Sequence, residues 1–309
     1  MNAIELNDVS YQFKKFSLKD ISFSVPQGYV TGFIGSNGVG KTTLIRLIMD
    51  LIEPDGGEIN IFNQRMKENP LEIKNKIGFV YSDLYLNDKW TIKQIESYIA
   101  PFYKKWDHTV FANYLEKFNL PYKGKIKTFS TGMLMKLSIA IAFSHEAELF
   151  ILDEPTSGLD PIVRNEVLEI IQKELIDENK TVFISTHIIS DLEKIADYLV
   201  YIKEGEVVLN SYIDDIISKF KIVKGDAEHI DSELKDLMNY VEYNRTGYVA
   251  LTEYANVFKE LFGNQVTITE PSIEDLMVYL EKGEYNHSDS GGMIDQQEDI
   301  RWKIYLFEI

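Results

Sequence analysis

The sequence predicts an α/β fold built on a parallel sheet, followed by a smaller α+β domain. An apolar run at 30–34 leads through a glycine-rich loop into a helical pattern that begins at Lys41. The apolar runs at 149–153 and 181–186 flank the helical stretch 162–175. A strand, a helix and a second strand in this order form a βαβ unit, which predicts parallel strands.

The segments around this core fit the same fold class. A helical apolar pattern covers about 91–142 and is interrupted at Pro101 and Pro121, which predicts a helical insertion. The first eighty residues contain short strand-like runs bounded by glycine and proline, at 21–25, 57–62 and 77–80.

Residues 213–284 are more acidic and alternate again between helical and strand-like patterns, which predicts a small α+β domain. Its last helix is expected to begin at Ser272, with Asp275 completing a capping box, and to end at Gly283. Residues 285–309 are predicted to form a linker and a tail that packs as an edge strand or a short amphipathic segment. This region could regulate the chain, help it to dimerise or only stabilise it.

Composition limits the functions that the chain can have. With 309 residues, of which 45% are hydrophobic, it can form one large core and a smaller appended unit. The net charge of −17 repels phosphate backbones and argues against general nucleic-acid binding. Without cysteines, an apolar run of about 18 residues or a signal-peptide pattern, the chain is expected to be soluble and cytosolic.

A phosphate-binding motif follows the strand at 30–34. The segment GFIGSNGVGKTT contains G-x-x-x-x-G-K-T at the start of a helix, which is the structural context that the motif requires. Its glycines allow positive φ angles and a close approach of the backbone, so that N–H groups can point at phosphate oxygens. Lys41 would reach the β- and γ-phosphates, Thr42 would bind Mg²⁺ and Thr43 would contact the α-phosphate.

Two adjacent acids end the apolar strand at 149–153. Asp153 and Glu154 lie at the carboxyl edge of a predicted parallel strand, where α/β sheets bind ligands. Neighbouring residues point in different directions, so Asp153 can hold Mg²⁺ through water while Glu154 faces an attacking water as general base. The alternative is a simple acidic turn, which the presence of the phosphate-binding motif disfavours.

Residues 129–133, Phe-Ser-Thr-Gly-Met, stand between the helical insertion and the acidic strand. With the two preceding motifs, they make residues 3–210 resemble the ATP-binding cassette of ABC transporters, whose signature at this place is usually LSGGQ. The resemblance implies a P-loop NTPase fold over 1–212, with a RecA-like parallel core, an antiparallel β-subdomain and a helical subdomain at about 83–142. In this family the signature helix caps the γ-phosphate of ATP held by the opposite subunit, so a pair of chains is implied.

The resemblance also assigns roles to single residues. Ser130 and the backbone N–H of Gly132 would contact the γ-phosphate, and Asp160 lies in a segment that looks like the D-loop at the dimer interface. His187 resembles the switch histidine that contacts the γ-phosphate. Tyr11 resembles the aromatic residue that stacks on adenine, with an exposed tyrosine in an early turn as the alternative. The remaining histidines are expected to be structural: His108, His145, His229 and His287.

The chain departs from the family pattern at several positions. Ser82 and Asp83 stand where the family usually has a glutamine that contacts Mg²⁺, so either residue could act through water, and Ser82 is the predicted metal contact. Thr131 and Met133 replace the usual Gly and Gln of the signature. These substitutions resemble those of a Gram-positive subgroup of peptide and antibiotic exporters that includes exporters of phenol-soluble modulins.

The favoured function is that of an ATP-hydrolysing subunit, either a homodimer or a paired cassette, bound peripherally to a transmembrane permease on the cytoplasmic face of the membrane. The first alternative is a soluble ABC ATPase acting on ribosomes or DNA, and the second is a cassette that binds ATP without hydrolysing it. The predicted catalytic residues are Glu154 and His187, and the predicted metal-binding residues are Thr42, Asp153 and Ser82. The predicted nucleotide contacts are Tyr11, Gly35, Ser36, Asn37, Gly38, Val39, Gly40, Lys41, Thr42, Thr43, Ser130, Gly132 and Asp160.

Overall fold

The computed structural model describes residues 1–283, apart from 14–15, 82–85, 175–176, 178 and 228–229. The chain divides into two compact units, Met1–Lys219 and Phe220–Ile309. Several sequence predictions lie outside the described residues, namely those for Ser82, Asp83, His229, His287 and the tail 285–309. None of the described helices is long and apolar enough to cross a bilayer.

The first unit alternates strands and helices along its whole length. Its strands are β1 (Asn2–Phe13), β2 (Phe16–Pro26), β3 (Val30–Ile34), β4 (Gly56–Ile61), β5 (Gln64–Arg65), β6 (Ile77–Val80), β7 (Leu149–Asp153), β8 (Thr181–Ser185), β9 (Tyr198–Lys203) and β10 (Glu206–Tyr212). Its helices are α1 (Lys41–Ile48), α2 (Pro70–Asn75), α3 (Ile92–Ile99), α4 (His108–Lys117), α5 (Thr131–Ala142), α6 (Pro161–Glu174), α7 (Ile189–Ile195) and α8 (Ile213–Lys219).

The central sheet has the strand order β10-β9-β3-β8-β7-β6. Strands β6, β7, β8, β3 and β9 run parallel, and β10 joins the edge antiparallel to β9. Every residue of β3, β7 and β8 is buried, as expected for parallel strands covered on both faces. The predicted βαβ unit is therefore correct, and the carboxyl ends of β3, β7 and β8 lie side by side.

A second, antiparallel sheet with the order β2-β1-β4-β5 packs into the same hydrophobic core. Strands β1 and β2 are longer than the short runs that the sequence predicted, because they form a hairpin that continues to the pair Phe13 and Phe16. The RecA-like core and the antiparallel β-subdomain of the predicted fold are thus both present.

The helical insertion consists of α3, α4 and α5, each started by a side-chain cap. Thr91 and Gln94 form a capping box at α3, Asp107 accepts two backbone N–H bonds at α4, and Ser130 caps α5. Such caps satisfy N–H groups that a helix start would leave unpaired. The breaks predicted at Pro101 and Pro121 fall between these helices.

His145 is a buried histidine that joins the insertion to the core. Its ring stacks on Tyr103, with centroids 3.9 Å apart, and neither ring nitrogen has a hydrogen-bond partner among the described residues. Burial lowers the pKa of His145 to about 4, and the backbone at Asn75 offsets part of this effect without completing a hydrogen bond. His145 is therefore structural, as predicted, and neutral at pH 7.

We expect His145 to make the fold sensitive to acid. In the unfolded chain a histidine has a pKa of about 6.5, so above that pH the neutral His145 costs the fold no stability. As the pH falls toward 4, the unfolded chain takes up a proton that the folded chain does not, and the free energy of unfolding decreases. With a pKa of about 4 in the folded chain, the loss amounts to about 3 kcal/mol. A His145→Phe variant keeps a ring on Tyr103 and cannot take up a proton. Urea unfolding of both proteins between pH 7 and 4 should show a smaller loss of stability for the variant, and equal losses would contradict the prediction.

The second unit contains β11 (Lys221–Gly225), α9 (Ser232–Asp236), β12 (Tyr240–Asn244), β13 (Gly247–Thr252), α10 (Ala255–Phe262), β14 (Thr267–Thr269) and α11 (Ile273–Lys282). Its antiparallel sheet has the order β12-β13-β11-β14. A βαββαβ chain with this order is a ferredoxin-like fold. The sequence predicted an α+β unit here but not its topology.

The predicted caps of α11 are present. Ser272 and Asp275 form the capping box, and Gly283 is the C-cap. The glycine has a φ of −86°, so it does not serve a left-handed turn. Instead, a Cβ at this position would lie 2.2 Å from Asn239 O, which requires glycine for reasons of space.

Candidate functional site

A cavity of about 630 Å³ lies at the carboxyl ends of β3 and β7. One side is formed by the phosphate loop (residues 35–42), and Glu154 and His187 close another side. Thr131 and Met135, from the first turns of α5 in the same chain, also line it. The three sequence motifs therefore meet at one place, although Asn37 and His187 are 150 positions apart along the chain.

The glycines of the phosphate loop serve two different purposes. Gly38 and Gly40 have φ angles of 85° and 109°, which other residues rarely adopt. Gly35 has no positive φ, but a Cβ there would lie 2.5 Å from Ile202 O. Gly40 is the N-cap of α1, and no side chain caps this helix. The N–H groups of its first turn can therefore donate hydrogen bonds to an anion.

Lys41 is buried and points back toward the loop. Its Nζ donates to Gly35 O at 2.8 Å and to Ser36 O at 3.4 Å. Glu154 Oε1 lies 3.6 Å from the same ammonium, and only 7% of the lysine side chain is exposed. The positive charge is thus already withdrawn from solvent and held where a phosphate would compete for it.

Thr42 and Asp153 come together as a pair of oxygen ligands. Thr42 Oγ1 donates to the Asp153 carboxylate, at 3.1 Å to Oδ2 and 3.4 Å to Oδ1. Ser185 Oγ, at the end of β8, donates to Asp153 Oδ1 at 2.7 Å. Asp153 is completely buried, so these hydrogen bonds fix its orientation. A hydroxyl and a carboxylate are the hard oxygen donors that Mg²⁺ uses together with nucleotide phosphates.

Glu154 has an unusual backbone conformation next to this pair. Its φ is 52°, in the left-handed region, and its N–H donates to both the carbonyl and the hydroxyl of Ser185 at 3.1 Å. The Glu154 side chain lines the cavity, whereas Asp153 does not. His187 Nδ1 lies 2.6 Å from Glu154 Oε2, and 42% of the histidine side chain is exposed. The two predicted catalytic residues are therefore in direct contact.

The signature segment begins a helix, as its sequence suggested. Ser130 Oγ accepts a hydrogen bond from Met133 N at 3.2 Å, and Ser130 itself is exposed. Asp160 is placed differently from the nucleotide contacts: its Oδ1 accepts the N–H groups of Ile162 and Val163 and caps α6. Among the described residues, Asp160 is not part of the cavity lining.

Two aromatic residues that the sequence reasoning missed line the cavity. Phe13 and Phe16 stand at the end of the β1–β2 hairpin, and the Phe16 ring lies over Gly40. Phe13 is 54% exposed. Tyr11 packs against the core between the two sheets and does not line the cavity. No local sequence pattern distinguishes Phe13 from Tyr11, because the difference depends on where the β1–β2 hairpin ends.

Comparisons with known proteins agree with this arrangement. The sequence model of the ABC transporter family matches residues 18–157. The ABC transporter ATP-binding protein NatA of Bacillus subtilis is 32% identical over 224 residues, which cover 69% of this chain and 91% of NatA. This chain belongs to the ABC transporter ATP-binding family. The predicted resemblance is therefore confirmed.

Other relatives of this ABC cassette carry names from antibiotic transport or antibiotic resistance. The bacitracin transport ATP-binding protein BcrA of Bacillus licheniformis is 37% identical over 200 residues, 62% of this chain and 63% of BcrA. The linearmycin resistance ATP-binding protein LnrL of Bacillus subtilis is 33% identical over 211 residues, 67% of this chain and 68% of LnrL. The cassette thus spans about two thirds of the length of these two relatives.

Solved structures place the fold of the cassette in the same family. An ATP-binding subunit of an ABC transporter superposes with a TM-score of 0.63 at 29% identity, covering 69% of this chain and 91% of the other. A dimeric cassette bound to ADP and phosphate superposes with a TM-score of 0.60 at 23% identity, covering 68% of this chain and 98% of the other. The second likeness supports the P-loop NTPase fold alone.

Proposed function

We propose that this cassette hydrolyses Mg-ATP and that the hydrolysis drives export through a separate transmembrane permease. The proposal is supported by one observation above all. A phosphate loop with a buried ammonium and a glutamate–histidine pair line a single cavity, and Thr42 of that lining is hydrogen-bonded to the buried Asp153 carboxylate. These are the parts that phosphoryl transfer to water requires.

In the proposed reaction, each side chain has a separate task. Glu154 accepts the proton of the attacking water, because its side chain lines the cavity beside the phosphate loop. His187 holds that carboxylate through the 2.6 Å contact and contacts the γ-phosphate with its other ring nitrogen. Lys41 moves from the loop carbonyls to the β- and γ-phosphates, where its ammonium meets negatively charged oxygens in place of two neutral carbonyls.

Thr42 and Asp153 are the residues that would hold Mg²⁺. Thr42 Oγ1 and Asp153 Oδ2 lie 3.1 Å apart, and a hydrogen bond from Ser185 Oγ to Asp153 Oδ1 orients the carboxylate. When bound, the cation would neutralise charge that develops on the phosphates during transfer. The predicted role of Ser82 concerns a residue outside the described part of the chain and stays a prediction.

We also propose that two cassettes form the complete active sites, with the start of α5 of one chain acting on the nucleotide of the other. Ser130 is exposed and available to a second chain. Thr131 and Met135 line the cavity of their own chain. The alternative, in which α5 acts on the nucleotide of its own chain, therefore needs a direct test. A Lys41→Ala chain and a Ser130→Arg chain, each inactive alone, should regain activity when mixed, since one composite site is then intact. No recovery would show that the helix acts within its own chain.

Phe13, in place of Tyr11, is proposed to stack on the nucleotide base. A Phe13→Ala variant should bind ATP roughly tenfold more weakly, because base stacking contributes about 1–3 kcal/mol. Fluorescence titration with an ATP analogue measures this, and tripolyphosphate, which has no base, should bind both proteins equally. Tyr11→Ala is the comparison: a selective loss of ATP affinity there would restore Tyr11 as the stacking residue.

The proposed cargo is an amphipathic or antimicrobial peptide or a drug, since relatives are named for bacitracin transport and linearmycin resistance. The negative charge of −17 argues against the alternative of an ATPase that acts on ribosomes or DNA. Affinity purification of the tagged chain from solubilised membranes tests the proposal. A hydrophobic membrane partner that raises the turnover of Mg-ATP is the expected result, and recovery of ribosomes or DNA in its place would favour the alternative.

A further inference from the structure

Asp191 is a buried carboxylate that joins three segments beside the cavity. It lies in α7, the helix that follows His187, and none of its side chain is exposed. Thr156 Oγ1 donates to Asp191 Oδ2 at 2.6 Å, and Arg164 Nε donates to Asp191 Oδ1 at 2.5 Å. Each carboxylate oxygen therefore has a donor from a different element, which a buried charge requires.

The two donors belong to segments that carry the proposed chemistry. Thr156 lies in the turn that leaves β7 directly after Glu154, and Thr156 itself is 1% exposed. Arg164 lies in the first turns of α6, and its Nη2 also donates to Ser190 Oγ at 2.8 Å. Asp191 thus fixes the turn after Glu154 and the start of α6 to α7.

We propose that Asp191 is a positioning residue for the hydrolytic step. By holding the turn after Glu154 against α7, it keeps His187 Nδ1 within 2.6 Å of Glu154 Oε2. None of the three residues of this junction lines the cavity, so Asp191 acts through Glu154 and His187 and not on the nucleotide. The role rests on the proposed function, because it concerns hydrolysis.

The junction is separate from the parts that bind phosphate. The phosphate loop connects β3 to α1, whereas the junction connects the ends of β7 and β8 to α6 and α7. Loss of Asp191 should therefore affect the geometry of the glutamate–histidine pair and leave the phosphate loop intact. A shift of the pair by about 1 Å is enough to reduce a rate up to a hundredfold.

Asp191→Asn tests the proposal, because it keeps the shape of the side chain and removes the charge that Arg164 requires. We expect kcat for Mg-ATP to fall about 10- to 100-fold, with the Kd of an ATP analogue within about twofold of wild type. A crystal structure of the nucleotide-free variant should show His187 Nδ1 beyond hydrogen-bond distance of Glu154.

Arg164→Gln, on a partly exposed side chain, should act in the same direction. Glu169→Gln removes one carboxylate from an exposed ion pair on α6, the helix of Arg164. It should change neither kcat nor the Kd of the ATP analogue.

Two results would overturn the proposal: a folded Asp191→Asn or Arg164→Gln variant with wild-type kcat, or a fall of ATP affinity and kcat in step with the melting temperature. A wild-type chain that binds ATP without hydrolysing it, even with its permease, would instead reject the proposed function. In that case the crystal structure still decides whether Asp191 sets the distance between His187 and Glu154.

Discussion

Replacing Glu154 with glutamine is expected to reduce ATP hydrolysis about a thousandfold while ATP stays bound. The amide cannot accept the proton of the attacking water, but it has nearly the same shape as the carboxylate. The cavity keeps its phosphate loop and its Thr42–Asp153 pair, because Lys41 is also held by Gly35 O and Thr42 by Asp153. With binding intact and turnover blocked, the ATP-bound closed pair of cassettes should accumulate.

Steady-state ATPase assays and size-exclusion chromatography with ATP measure both parts of this prediction. Glu148→Gln is a matched control, because Glu148 directly precedes β7 and forms an exposed ion pair with Lys76 at 3.7 Å. That variant should hydrolyse ATP at the wild-type rate and show no additional dimer. Full activity of Glu154→Gln would reject Glu154 as the general base.

The sequence predicted the parts of the site whose chemistry is local. Each of these parts lies within one short segment, so residue types and spacing indicate its role without any long-range contact. They are the glycines of the phosphate loop, the hydroxyl of Thr42 and the adjacent acids Asp153 and Glu154. The central sheet was predictable for a similar reason, because uninterrupted apolar runs such as 149–153 are typical of buried parallel strands.

Contacts between distant segments could not be predicted in this way. Ser185 orients Asp153 across 32 positions of sequence, and Thr156 contacts Asp191 across 35, so neither pair leaves a local pattern. The choice between Tyr11 and Phe13 depends on where the β1–β2 hairpin ends, since two residues along a strand span roughly 7 Å. The ferredoxin-like order of the second unit likewise depends on strand pairing, which alternating helix and strand patterns do not specify.

The largest effect on nucleotide binding is expected from Lys41→Ala. The Lys41 side chain is 7% exposed and lies between the loop carbonyls and Glu154, so most of its desolvation precedes phosphate binding. Its loss removes a charge-assisted hydrogen bond worth about 2 kcal/mol, which corresponds to a roughly 30-fold higher Kd for ATP. Equilibrium titration with a fluorescent ATP analogue measures this change.

Two further variants separate the charge of Lys41 from its other roles. Lys41→Met keeps most of the side-chain volume, so an equal loss of affinity in this variant would assign the effect to the ammonium and not to a collapsed loop. Lys67→Ala removes a lysine from an exposed ion pair with Glu53 and should leave the Kd unchanged. Unchanged affinity in both Lys41 variants would contradict the role of the ammonium. The phosphate would then be held by the N–H groups of the loop and of α1 alone. The positive φ angles of Gly38 and Gly40 set the direction of the backbone there, and no side chain caps α1.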